Sequence, residues 1–147
     1  MLVAVCAMVL GFIPETFADW EYTKWGMTPE QVATASQGAV KIVPESERAG
    51  NEDDGWEIAA KGRYNYHSLV MNVEFAFDLD SGGLKCVFYN GSGPKSVLIK
   101  EMLTTKFGPP EATKRFVGVE VFTWSMPDHI ELTMGTKPDS AAVEHCE

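Results

Sequence analysis

Chemistry in this chain would have to come from a few short stretches, and each lacks something its chemistry needs. Tyr89 to Ser96, YNGSGPKS, holds the glycines, lysine and hydroxyl of a phosphate-binding loop. The spacing to Gly-Lys-Ser does not fit such a loop, and Pro94 removes an amide hydrogen that it would use. Asp78 to Gly83, DLDSGG, supplies two early ligands of a calcium loop, but Gly82 stands where the third would fall and Tyr89 where the closing glutamate belongs. A hairpin turn is the expectation there. Glu52, Asp53 and Asp54 could attract a divalent cation, yet consecutive carboxylates on a loop are ordinarily solvated. His67, His129 and His145 have no HExxH or His-x-His neighbour, and no GxSxG elbow is present. His67 shares strand parity with Leu69 and Met71, which predicts a partly buried structural histidine. Of the four tryptophans, Trp25 and Trp124 fall at element ends as core anchors, whereas Trp20 and Trp56 read as surface aromatics.

No catalytic, cofactor-binding or metal-ligating residue is therefore expected. A site assembled from scattered polar residues such as His67, Asp78 and His129 is the competing reading, and it would make the chain a hydrolase or small-ligand carrier.

The elements that must position any site begin after an apolar leader. Residues 1–18, MLVAVCAMVLGFIPETFA, run apolar from Leu2 to Ile13, break at Pro14 and end on small Thr16 and Ala18 around Phe17. This is the layout of a signal peptide cleaved after Ala18, leaving 19–147 as one domain. The run is too short for the roughly twenty residues a membrane-crossing helix needs. No Lys or Arg precedes it, so an uncleaved interfacial anchor is the alternative. Val5 before Cys6 is too large for a lipid-attachment site. The expected compartment is periplasmic or extracellular.

The formal charge of the 147-residue chain is -9, which disfavours nucleic acid and anionic membrane surfaces as partners. Its 45% hydrophobic content suits a packed core. After loss of the leader, no stable membrane insertion is expected.

In KWGMTPEQV, Thr28 is an N-cap, Pro29 takes N1, Gln31 completes a capping box, and Met27 can staple onto Val32. The short helix stops near Gly38. A strand over Ala39 to Val43 leads into an acidic, structureless loop, Pro44 to Gly55. Trp56 opens a strand toward Tyr66. The next strand alternates cleanly, with Leu69, Met71, Val73, Phe75, Phe77 and Leu79 on one face and Asn72, Glu74 and Asp78 on the other. LKCVFY returns as its partner until NGSGP breaks the sheet. Pro94 opens a second helix with Ile99, Met102, Leu103 and Phe107 on one face, ended by Gly108 and two prolines. Strands follow over Phe116 to Trp124, His129 to Met134 and Ala141 to Cys146. The fold class is α+β: an antiparallel sheet with two helices packed on one face, arranged as two helix-then-strands units.

WGMTPEQV, FAFDLDSGGLKCV, LIKEMLTTKFGPP and TWSMPDHIEL together resemble a pattern in small uncharacterised exported bacterial proteins. GMTPEQV is also similar to the helix start of the small lipoprotein of the outer-membrane barrel-assembly machinery, and of beta-lactamase inhibitory proteins. The chain departs from these in lacking a lipid-attachment cysteine and in placing Gln37, Gly38 and Ala39 where they continue into a second helix. The resemblance implies a non-catalytic envelope or secreted binding protein, whose partner is a protein or an envelope component. It carries over no functional residue.

Cys86 and Cys146 are the cysteines left without the leader, and an exported chain with two thiols commonly pairs them. Otherwise Cys86 is a buried apolar residue and Cys146 a tail thiol.

Overall fold

A computed structural model describes residues 20–135 and 140–147. The leader 1–18 and Asp19 lie outside the described residues. The chain forms an α+β domain: helix α1 (Pro29–Ala35), strands β1 (Val40–Ile42), β2 (Ala49–Asn51), β3 (Trp56–Tyr66), β4 (Leu69–Asp78) and β5 (Leu84–Ser92), helix α2 (Val97–Phe107), then β6 (Ala112–Phe116), β7 (Val119–Trp124), β8 (His129–Gly135) and β9 (Ser140–Cys146). All strands join one antiparallel sheet in the order β1-β3-β4-β5-β9-β8-β7-β6, with β2 on β3 beyond the end of β1. Each helix-then-strands unit runs from an outer edge to the middle, and the units meet where β5 pairs with β9.

α1 starts as its sequence dictates. Thr28 Oγ1 accepts from the Gln31 amide at 3.3 Å, and Gln31 Oε1 accepts from the Thr28 amide at 2.9 Å. Two of the orphan donors of a helix start are thereby satisfied. Val32 of α1 and Ile99, Met102 and Leu103 of α2 share one buried cluster with Met71, Val73 and Phe75 of β4, Val87 of β5 and Val143 of β9. Gly91 lets α2 approach, because a Cβ there would stand 3.2 Å from Ile99 Cδ1 and from Leu69 Cδ1.

Several expectations are corrected. The acidic stretch from Pro44 to Gly55 is ordered. Glu45–Glu47 form a 3-10 turn and β2 pairs with β3, held by an Arg48–Glu57 ion pair at 2.6 Å. Backbone pairing needs no apolar side chain, so composition concealed this strand. β5 runs on to Ser92, and α2 begins at Val97 after a 3-10 turn opened by Pro94. The stretch ending at Trp124 is two strands, because Val117 and Gly118 turn β6 back on β7 with Gly118 at φ +80°. Leu79 leaves the β4 face after Asp78 and is exposed. Trp20 is core and not surface: its ring meets Tyr22, Tyr64, Phe75 and Tyr89 at centroid separations of 5.2 to 5.6 Å. His67 is exposed, in the tight turn between β3 and β4 at φ 51°, so its parity with Leu69 does not hold.

Candidate functional site

On the face of the sheet turned away from the large cluster the strand register fixes the side chains in rows, exposed at Lys61, Glu144, Glu131 and His129 and buried at Ile58, Ala76 and Cys86. One row runs Lys61, Glu74, Phe88, Glu144, Glu131, Thr123. The row beside it runs Ile58, Ala76, Cys86, Cys146, His129. Alternation in antiparallel strands puts one set of side chains into the core and the other on this open face.

Cys86 and Cys146 are bonded, directly opposite each other across the β5–β9 seam with Cα atoms 4.1 Å apart. The bridge joins the two units. Around it lies a second, small apolar cluster: Ile58, Ala76 and Cys86 are buried, with Trp56 and Phe88 packed against them at a ring separation of 5.2 Å. Trp56 is thus half-buried on the open face and lines a shallow groove of about 700 Å³ with Ile58, Phe88, the disulfide, Glu74 and Glu144. A smaller depression of about 230 Å³ adjoins it, shares Phe88 and Glu144, and reaches Glu131 and Thr133.

Charge is sorted across this face. Lys41, Lys61 and Arg63 border the depression beside β1, with Lys41 directly opposite Lys61. Lys61 pairs with Glu74 at 2.8 Å. Glu131 and Glu144 stand directly opposite each other on β8 and β9, both exposed, and neither meets a cation among the described residues. Like charges in that position are destabilising.

The polar residues of the competing reading do not converge. His67 and Asp78 sit beyond and at opposite ends of β4, a separation of roughly 30 Å at the rise of an extended strand. Asp78 is engaged in its own turn, where Oδ1 accepts from the amides of Ser81 at 2.8 Å and Asp80 at 3.1 Å. The Ser81 amide above all holds its carboxyl below the usual range. His129 is exposed, three strands from Asp78. Among the described residues no three His, Cys, Asp or Glu side chains gather as a metal would need, and no helix is long and apolar enough to cross a membrane.

One polar pair was not legible in the sequence. His145 Nε2 lies 2.7 Å from Asp128 Oδ2, with both side chains buried, and Trp25 Nε1 donates to Asp128 Oδ1 at 3.3 Å. The rings of Trp25 and Phe107 meet the imidazole edge-on. His145 Nδ1 has no partner, so a second proton would be an unsatisfied buried donor. Burial chiefly, with Lys106 contributing, pushes the imidazole pKa down to about 3. The fully enclosed ring can touch no substrate. It clasps the segment before α1 to the Asp128 turn. Its signal was the alternation Ala141, Val143, His145, which sets all three on the buried face of β9.

The chain matches no protein-family model, and no characterised protein or solved structure is significantly similar to it.

Proposed function

We propose that the protein is an exported, non-catalytic binding module, periplasmic or secreted, that holds a protein or cell-envelope component on the open face of its sheet. The carrying observation is the second apolar cluster: Trp56 and Phe88 line a groove on the face opposite the large core. In this reading both helices cover the other face, in keeping with the shared cluster of Val32, Ile99, Met102 and Leu103. Recognition needs no cofactor. The leader-like residues 1–18 and the disulfide both suit an oxidising compartment.

The test joins two measurements. Amino-terminal sequencing of the exported protein is expected to begin at Asp19; Met1 in a membrane fraction would mean an anchor. Hydrogen exchange on a complex captured from envelope extract is expected to protect β5, β8 and β9 more than α1 and α2. Turnover in an esterase, phosphatase or glycosidase panel, or protection confined to the helices, would sink the reading.

A further inference from the structure

Resting on that reading, we infer that the partner is a protein surface presenting a Lys or Arg side chain, which lies against Phe88 and between Glu144 and Glu131, with apolar contacts on either side. The open face groups apolar side chains at two places, among Lys85 at the first and Lys114 at the second, with Glu144 and Glu131 between them. One place is the Trp56–Phe88 groove. The other is the β6–β7 corner, where Phe116 faces Val119 and Lys114 faces Val121 across the hairpin, and where Phe116 is 62% exposed. From β3 to β6 is six strand spacings, roughly 29 Å, which is about the breadth of a stable protein–protein interface.

The centre of that span is β9, and Glu144 faces out of it opposite Glu131. Two carboxylates held across from each other without a described cation cost stability in the free protein. A cation from a partner removes that repulsion, and an aromatic ring beside it adds a cation–π contact. The register puts Phe88 directly next to Glu144.

A second copy seated about β9 is opposed by charge. A twofold axis through β9 would bring Glu144 against its own equivalent and set Lys61 and Arg63 of one copy toward Lys114 of the other. The overall charge of -9 opposes the same pairing. The arrangement calls for a partner of the opposite charge.

The probe is a phage-displayed library of random peptides, selected in parallel on the folded protein and on the variant E131Q/E144Q. The unmodified protein is expected to enrich peptides with Lys or Arg beside aromatic or aliphatic residues, and the variant to lose that basic preference. A selected peptide should bind the variant about tenfold more weakly, and added salt should weaken its binding to the unmodified protein. Denaturation serves as the fold control: E131Q/E144Q should unfold at the same or a higher urea concentration. Peptides without basic residues, or equal binding to both proteins, overturn the inference while leaving the binding module standing. A library that enriches nothing overturns the inference as well, and leaves the binding module to its own capture test. A dimer in sedimentation equilibrium that Phe116→Ser abolishes would overturn it in favour of a second copy.

Discussion

The two helix-then-strands units share a plan and differ in how much of it they complete. In the first, β3, β4 and β5 run 11, 10 and 9 residues, and the outer edge is folded over by β1, a 3-10 turn and β2. In the second, β6 to β9 run 5, 6, 7 and 7 residues, and every residue of β6 is exposed. The first unit also holds the Trp20 ring cluster, whereas the second closes on the His145–Asp128 pair. Strand length decides the contrast. Long strands bury enough side chains to carry aromatic packing on both faces, and short ones leave an edge whose Lys114 and Arg115 discourage pairing with another sheet.

Removing the Trp20 ring is the severest way to break the first unit. Trp20→Ala should cost up to about 5 kcal/mol, read as a lowered urea midpoint, with near-ultraviolet ellipticity lost first from the tyrosines around it. A loss below about 1 kcal/mol would show that Trp20 does not brace the core.

The seam tests whether the units depend on each other. Chain-entropy arithmetic for a bridge spanning 60 residues gives roughly 4 kcal/mol, so Cys86→Ala/Cys146→Ala should unfold at a markedly lower denaturant concentration. Thiol titration of the unreduced, denatured protein should find no free thiol at either position. Two free thiols per chain would show that the bridge does not form.

Acid should act on the second unit. The folded pKa of His145 lies at about 3, below its ordinary value of 6.5, so below pH 6.5 the unfolded chain binds the proton more readily. The stability conferred by the neutral imidazole is complete above that pH and declines as pH falls toward 3, on the order of 1 kcal/mol per pH unit. His145→Phe combined with Asp128→Asn, which keeps an acceptor for Trp25 and leaves no buried carboxylate unpaired, should flatten this part of the profile in urea melts. An unchanged slope would mean that other groups carry it.

The smallest effect returns to the first helix. Thr28→Ala removes an N-cap and should cost about 1 kcal/mol, leaving capture by the open face intact once the protein is folded. Lost capture at unchanged stability would make the helix start part of the site.

What was legible follows the range over which each element is determined. The capping box of α1 and the alternation from Leu69 to Phe77 are local, and both were readable. β2 and β6 were hidden because polar and small residues hold them through backbone pairing with β3 and β7. Trp20 adjoins the leader and belongs to no periodic run, so nothing nearby marked it as core. The open face was half legible: the polar parity of Asn72 and Glu74 was visible, but Trp56, Phe88 and Glu144 become neighbours only through β-pairing. The Cys86–Cys146 pairing was reached from compartment, and the register supplies its geometry.

The edge-to-centre path of both units has a consequence for synthesis. β9 leaves the ribosome after every other strand of this sheet, yet its place is in the middle, between β5 and β8. Until it docks, β5 and β8 each lack the neighbour that β9 supplies, and the two half-sheets share no backbone pairing among the described residues. A chain stopped before Ser140 would lack the strand that joins the two halves of the sheet, and its β5 and β8 edges would be open to pairing with other chains.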